Sequence, residues 1–198
     1  MSTNILFYVH YNKFNRLSDH VVFQLEAMRQ IYDEIYLISN SQLSDGDLNS
    51  LANKGLYDHF LQRKNNGYDF CAWSDGIKAY GYEQLDKFDN LTLMNDTCFG
   101  PLWDMQETFE KFESDASVDF WGLTNHAACK IKGGSYVAEH LQSYFLSFKK
   151  QVVVSEAFID FWSNVKSYKN VQHVIDSYEA KLTEQLVKAG YSCSSMLD

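Results

Sequence analysis

The first part of the sequence constrains the fold more than any other. Residues 5–10 and 34–39 are short runs rich in β-branched and aromatic side chains, and residues 17–31 between them carry apolar side chains at helical spacing. This order predicts a strand, a helix and a second strand. Because such a unit joins parallel strands through a right-handed crossover, both strands should end at the same edge of a sheet, where α/β proteins bind ligands.

The rest of the chain continues this alternation. Further strands are predicted at residues 59–62, 91–94, 118–123 and 141–148. Helices are predicted at residues 69–80, from Pro101 to about Phe112, at residues 155–165 and from Asp176 to Gly190. We therefore expect an α/β protein with a central, mostly parallel sheet flanked by helices. No flexible linker interrupts the pattern, so residues 1–198 are interpreted as one domain, either alone or within a longer protein.

The charge and the cysteines exclude several classes of function. The formal net charge is -9, and a nucleic-acid surface needs clustered Lys and Arg, so nucleic acid is not an expected partner. The four cysteines form no CxxC pair, which argues against a zinc knuckle or a redox motif. The sequence has no apolar stretch of the roughly 18 residues that a membrane-spanning helix needs. We expect a cytoplasmic protein, with docking on the inner face of the membrane left open.

A carboxylate follows one of the predicted strands directly. Asn95 and Asp96 come after the apolar residues 91–94, so they should lie at the ligand-binding edge of the sheet. There Asp96 could hold Mg2+ or Mn2+ against a diphosphate, with Asn95 beside the same ligand. The alternative is that Asp96 only caps a helix or shapes a turn.

A second polar segment connects the strand at residues 59–62 to the next helix. Asn66, Gly67 and Asp69 precede or begin this helix, and Asp75 lies within it. Exposed amides at a helix N-terminus attract phosphate, so these residues are candidates for binding a phosphorylated donor. The alternative is an ordinary connection between a strand and a helix.

Two acidic residues near the end of the chain have two competing interpretations. Glu179 is a candidate general base, with Asp176 close by, for taking a proton from an attacking hydroxyl group. The spacing of Asp176 and Glu179 also fits a capping box at the start of a helix, which needs no catalytic role.

Several further side chains are candidates for contacts with ligands. His10 and Tyr11 follow the first predicted strand, where they could contact a nucleotide base. His140 and Gln142 lie in a strand of alternating polarity, and His140 could serve as an acceptor contact, a metal ligand or a base. Trp121 could stack on a sugar ring, although a tryptophan in a strand is also typical of a hydrophobic core.

Several separate segments, in this order, together resemble the rhamnan synthesis F family of bacterial polysaccharide assembly. They are residues 67–70, 93–101, 119–124, 140–145 and 155–158. The likeness extends over most of the chain. It implies a GT-A glycosyltransferase fold that binds a nucleotide sugar. The segments around Asn66, Gly67 and Asp75 resemble the donor-binding loop and helix of that fold. Asn95-Asp96 resembles its Asp-x-Asp metal motif with one carboxylate instead of two, and Glu179 resembles the acid of its catalytic helix.

The resemblance also implies substrates. The expected donor is a nucleoside diphosphate sugar, dTDP-rhamnose, and the expected acceptor is a saccharide or a lipid-linked saccharide in the synthesis of cell-wall polysaccharide or lipopolysaccharide. We expect transfer with inversion, with Mn2+ or Mg2+ as cofactor. The alternative is a non-catalytic module that binds a carbohydrate or a nucleotide sugar.

Overall fold

Ten strands and a set of flanking helices make up the part of the chain that the computed structural model describes, residues 2–130 and 136–197. The strands are β1 (Asn4–His10), β2 (Glu34–Ser39), β3 (His59–Gln62), β4 (Asn90–Asn95), β5 (Phe120–His126), β6 (Cys129–Lys130), β7 (Tyr136–Val137), β8 (His140–Leu141), β9 (Phe145–Lys149) and β10 (Cys193–Leu197). All except β6 and β7, which pair with each other, belong to one sheet.

The order in which strands are added to the sheet reverses at β1. The sheet runs β10, β5, β9, β4, β1, β2, β3, with β8 also paired to β5. From β1 the chain adds β2 and then β3 on one side, both parallel, and then returns to add β4 in parallel on the other side. Crossovers on the two sides of β1 leave a crevice at the carboxyl ends of β1 and β4, which is where open α/β sheets bind ligands.

Helices cover both faces of the sheet. They are α1 (Asp19–Met28), α2 (Asp45–Asn53), α3 (Tyr68–Tyr80), α4 (Tyr82–Leu85), α5 (Met105–Ser114), α6 (Lys150–Val153), α7 (Glu156–Ser163), α8 (Val171–Val174) and α9 (Ala180–Lys188), with a π-helical turn, Ile175–Glu179, between α8 and α9. Within the described residues, none of these helices is both long enough and apolar enough to cross a bilayer.

The side chains of β1 explain why this strand lies at the centre. All seven of its residues are buried, and they alternate between two hydrophobic cores. Phe7 packs with Trp73 and Trp162 on one face, whereas Leu6 packs with Leu25 and other residues on the opposite face. A strand buried on both faces gives a continuous apolar run in the sequence, which is why β1 and β2 were predictable.

The predicted fold class is confirmed, and β2 and β3 begin and end where the sequence predicts. The single strand predicted at residues 141–148 is wrong, because residues 142–144 separate β8 from β9. The helix predicted to start at Pro101 starts at Met105 instead. The side chain of Asp104 accepts a hydrogen bond from the Gln106 amide (2.8 Å) and caps that helix.

Two of the elements that were not predicted, α2 and β10, are poor in buried apolar residues. In α2 only Leu51 is buried, so the helical period is weak in the sequence. The helix is begun by a capping box in which Ser44 and Asp47 bond each other's backbone amides. The strand β10 has no fully buried residue and lies at the edge of the sheet, where strands need few apolar side chains.

The close approach of α3 to the sheet generates a prediction. A Cβ atom on Gly76 would overlap the Cδ1 atom of Ile38 on β2. We expect Gly76→Ala to destabilise the protein, because the overpacked core must shift. In an Ile38→Val background, which removes that atom, the same change should destabilise less, because the overlap is gone and alanine has the higher helix propensity. Urea denaturation of the four proteins measures this coupling, and purely additive effects would contradict the packing.

Candidate functional site

The carboxylate of Asp96 is held at the switch point by β1. The Nδ1 atom of His10 lies 2.7 Å from Asp96 Oδ2, and the amide of Tyr11 donates to the same oxygen at 3.0 Å. His10 is fully buried, while the side chain of Asp96 is 13% exposed. Because an ionised carboxylate only accepts hydrogen bonds, Nδ1 is the protonated nitrogen of His10 in this pair. Both bonds fall on Oδ2, so Asp96 is oriented through one oxygen while Oδ1 remains for a ligand.

The turn after β4 is also anchored by helix α1. The Nε2 atom of Gln24 donates to the Cys98 carbonyl at 2.6 Å, and His20 Nε2 lies 3.3 Å from the Asp96 carbonyl. Within the turn, the Thr97 amide donates to Asn95 Oδ1 at 3.0 Å. The backbone that carries Asp96 is therefore held from both sides.

A second carboxylate, Asp69, lies next to this turn. Asn95 Nδ2 donates to Asp69 Oδ2 at 2.8 Å. Burial raises the pKa of Asp69 to about 6, the negative charges of Asp96 and Glu179 act in the same direction, and the Asn95 bond and the charge of Arg63 oppose them. Three acidic residues from three parts of the chain thus share one electrostatic environment. Such an environment attracts a cation.

The loop before α3 brings together the other residues predicted to bind a donor. Arg63 donates to the Asp75 carboxylate (2.9 Å), the Asn66 carbonyl (3.0 Å) and Asn40 Oδ1 (2.6 Å). Gly67 has a φ of 76°, and a Cβ atom there would overlap Cys71 Sγ. The left-handed backbone and the close approach both require glycine at this position.

Sequence reasoning missed part of this loop. Arg63 was not among the candidate residues, yet it links three polar groups. Asn40 was not singled out, although it directly follows β2 at the ligand-binding edge. Its Oδ1 atom accepts from Arg63, whereas its Nδ2 atom is buried without a hydrogen-bond partner among the described residues. A buried donor at this edge is a candidate contact for a bound ligand.

Glu179 is held by the break between β8 and β9. Its Oε1 atom accepts hydrogen bonds from the Ser143 amide (2.8 Å) and from Ser143 Oγ (3.1 Å). Glu179 belongs to the π-helical turn, a type of helix irregularity that is frequent at functional sites. A pocket of about 250 Å³ lies beside it. Lining this pocket are His126, Cys129, Val137, His140, Gln142, Gln172, Ile175, Asp176 and Glu179.

The capping box predicted for Asp176 and Glu179 is wrong. The helical segment that contains them begins at Val171, and the Gln172 amide donates to Asn170 Oδ1 at its start. Neither acidic side chain caps the π-helical turn or α9. Asp176 instead accepts a hydrogen bond from Gln172 Nε2 at 2.9 Å. Glu179 lies inside a continuous helical segment, with its side chain turned to β8 and β9.

The remaining candidates differ in how accessible they are. Tyr11 is 46% exposed at the ligand-binding edge. His10 is buried and contacts the site through its hydrogen bond to Asp96. His140 is 3% exposed, bonds the Ala138 carbonyl and stacks on His126. The prediction that Trp121 contacts a sugar is wrong: it has no exposed surface.

The core position of Trp121 has a clear cause. Its ring stacks on Phe112 with a centroid distance of 4.5 Å, and its Nε1 atom donates to Glu113 at 3.1 Å. The strand residue therefore contributes to the packing between β5 and α5.

The donor set at Asp96 fits a weakly held divalent cation. Among the described residues, no group of three or more His, Cys, Asp or Glu side chains is arranged to hold a metal ion. Mg2+, however, is usually bound by one or two carboxylates, with water and substrate phosphates completing its coordination. Asp96, with Asp69 nearby, matches that smaller donor set. Burial raises the pKa of Asp69 most, and the negative charges of Asp96 and Glu179 add to the shift; a cation would favour the ionised carboxylates.

The raised pKa generates a prediction about stability. Because the pKa of folded Asp69, about 6, exceeds its ordinary value of 3.8, the ionised carboxylate destabilises the fold above pH 6, and this penalty disappears as the pH falls towards 4. We expect Asp69→Asn, which can still accept from Asn95, to be more stable than the parent at pH 8 by about 1–3 kcal/mol. Urea denaturation at pH 8, 6 and 4 measures the difference.

The matched control is Asp160→Asn, on the exposed side of α7. It should show no comparable gain at pH 8. An Asp69→Asn protein that is less stable than the parent at pH 8 would contradict the electrostatic crowding at this site.

Solved structures with the same fold include two nucleotide-sugar transferases. A protein from Desulfovibrio desulfuricans G20 assigned as a nucleotide-diphospho-sugar transferase is 16% identical, with a TM-score of 0.54 over 100% of this chain and 81% of that one. The mannosyltransferase PcManGT from Pyrobaculum calidifontis, in complex with GDP-Man and Mn2+, is 9% identical, with a TM-score of 0.58 over 98% of this chain and 55% of that one. The fold is therefore GT-A-like, as the sequence predicts.

Sequence relatives point to one family. The protein y4gN of Sinorhizobium fredii (strain NBRC 101917 / NGR234) is 29% identical over 91% of this chain, which spans only 45% of the length of y4gN. The model of the family described as Rhamnan synthesis protein F matches residues 35–198. That match includes the turn after β4, the loop before α3 and the helical segment with Glu179. The chain belongs to the rhamnan synthesis protein F family.

Proposed function

We propose that this chain is a glycosyltransferase that moves a sugar from a nucleoside diphosphate donor to a saccharide acceptor. The observation that carries the proposal is the position of Asp96, which is fixed by His10 at the switch point of a GT-A-like sheet. A phosphorylated ligand in that crevice would meet Asp96 on one side. Glu179, whose charge acts on Asp69, is near enough to share the same reaction space.

The donor half of the proposed site consists of β1, β4 and the loop before α3. Asp96, with Asp69 beside it, would hold Mn2+ or Mg2+, whose charge would neutralise the departing diphosphate. The exposed ring of Tyr11 is available to the nucleoside, and the Nδ2 atom of Asn40, which has no partner among the described residues, would donate to it. The complex of PcManGT with GDP-Man and Mn2+ supports the expectation of a cation in a fold of this kind.

The acceptor half of the proposed site is the pocket beside Glu179. His140 and Gln142 line it and would orient the acceptor. Glu179 takes the proton of the acceptor hydroxyl, whose oxygen then attacks the anomeric carbon. The bond from that carbon to the diphosphate oxygen breaks on the opposite side, so the configuration inverts. Ser143 occupies Oε1 of Glu179, and the second carboxylate oxygen is the one that receives the proton.

The proposal also specifies which sugar is transferred. Membership of the rhamnan synthesis protein F family supports rhamnose as the transferred sugar, with dTDP-rhamnose as donor and a growing polysaccharide as acceptor.

Next to Asp96, the side chains of Phe99, Leu102 and Trp103 are 78%, 84% and 43% exposed. These apolar side chains would contact the lipid of a lipid-linked acceptor at the membrane surface. Residues 1–198 would form one catalytic domain.

The alternative is a module that binds a nucleotide sugar without transferring it, which would use the same donor half. Such a module would not require a base at Glu179. Transfer or hydrolysis of the donor separates the two proposals.

The first functional prediction concerns Asp96→Asn. The asparagine Oδ1 atom can still accept from Tyr11, so the fold should remain intact, while the anionic ligand for the cation is lost. In the presence of Mn2+ we expect the affinity for the nucleoside diphosphate sugar to fall at least about tenfold. Isothermal titration with and without Mn2+ measures this, and equal affinities of mutant and parent with Mn2+ present would refute the role of Asp96.

The second functional prediction concerns Glu179→Gln. The glutamine Oε1 atom can still accept from Ser143, so stability should change little, but the side chain can no longer take a proton. The rate of transfer should fall roughly 100-fold or more with almost unchanged donor binding. A mutant that transfers sugar at the rate of the parent would show that Glu179 is structural, and the base would then be sought at Asp176 or His140.

A further inference from the structure

We propose that Ser143 is a positioning residue for the carboxylate of Glu179, a role that rests on the proposed function. Its amide and its hydroxyl both donate to Glu179 Oε1, at 2.8 and 3.1 Å. Two donors from one residue to one oxygen restrict both the rotation and the tilt of the carboxylate. The direction of the second carboxylate oxygen of Glu179 is thereby fixed as well. Among the residues that line the adjacent pocket, Glu179 is present and Ser143 is not, so Ser143 acts through Glu179.

The break between β8 and β9 explains why the Ser143 amide is available. The pairing of β5 with β9 ends at Gly122 and Leu146, and its pairing with β8 resumes at Asn125 and Leu141. The residues between form a bulge, in which backbone groups leave the regular ladder and side chains are re-aimed. A partly buried amide outside the ladder needs another acceptor, and the Ser143 amide donates to Glu179.

The same bulge is bonded to the donor half of the site. The Asn95 amide, one residue before Asp96, donates to the Tyr144 carbonyl at 3.2 Å. Thr124 Oγ1 lies 2.7 Å from both Gln142 Oε1 and the Tyr144 hydroxyl, which holds the bulge against β5. These hydrogen bonds fix the position of Glu179 relative to the end of β4, which Asp96 directly follows. Since proton transfer depends on sub-ångström placement of donor and acceptor groups, this connection would set the rate of transfer.

The test is a set of variants at the contact. Ser143→Ala removes the hydroxyl and keeps the amide, and we expect kcat to fall about tenfold, the effect of one hydrogen bond to a charged group, with the KM for the donor unchanged. Ser143→Thr keeps a hydroxyl and should restore most of the rate. The matched control is Thr183→Val. Thr183 Oγ1 accepts from the Leu141 amide at 3.2 Å and joins the same strand region to α9; this bond does not involve the Glu179 carboxylate, so kcat should not change.

A double-mutant cycle shows whether Ser143 acts through Glu179. In a Glu179→Gln background, followed over long incubations, Ser143→Ala should leave the residual rate of transfer unchanged, because the base is already lost. A tenfold loss that persists in that background, or an equal loss in Thr183→Val, would overturn the positioning role while leaving the transferase proposal intact. A parent protein that neither transfers nor hydrolyses any nucleoside diphosphate sugar would overturn the proposed function, and the role of Ser143 with it.

Discussion

The hydrogen bond between His10 and Asp96 joins the two strands at which the order of the sheet reverses. It fixes a carboxylate at the mouth of the crevice, but it requires a fully buried imidazole. Nε2 of that imidazole is buried without a partner among the described residues. An unsatisfied buried polar atom costs about 1–3 kcal/mol. A purely structural strand end would have no reason to retain this cost, whereas a site that must hold one carboxylate oxygen still would.

The acidic residues around Asp96 impose a second local cost in stability. Asp69, Asp96 and Glu179 come from three separate parts of the chain, and the pKa of Asp69 is raised first by its burial and then by the negative charges of the other two. The fold accepts a penalty at neutral pH that neutral side chains would avoid. Local destabilisation of this kind is typical of sites that bind a charged ligand. Here the cation bound with the diphosphate of a donor would supply the missing positive charge, and the bulge at Ser143 would connect the donor half of the site to the acceptor pocket.

The sequence predicted what depends on local pattern and missed what depends on long-range contact. Strands buried on both faces leave continuous apolar runs, and Asp96 was recognisable because a carboxylate directly follows such a run. Glu179 was ambiguous, because the spacing of Asp176 and Glu179 also fits a capping box; only the start of the helical segment at Val171 excludes the cap. Trp121 was assigned to a ligand surface, since sequence alone does not show which face of a strand meets a helix. The link from Arg63 to Asn40 spans separate strands and leaves no local signal.

The central claim is that the carboxyl ends of β1 and β4 bind a nucleoside diphosphate sugar. Hydrogen–deuterium exchange of the protein, alone and with a panel of such donors and Mn2+, tests it most directly, because ligand contacts protect backbone amides wherever they occur. The account predicts that one donor protects the amides of residues 10–12, 63–69 and 95–98. Protection confined to the opposite edge, around Glu34, His59 and Lys87, which are bonded together there, would contradict it.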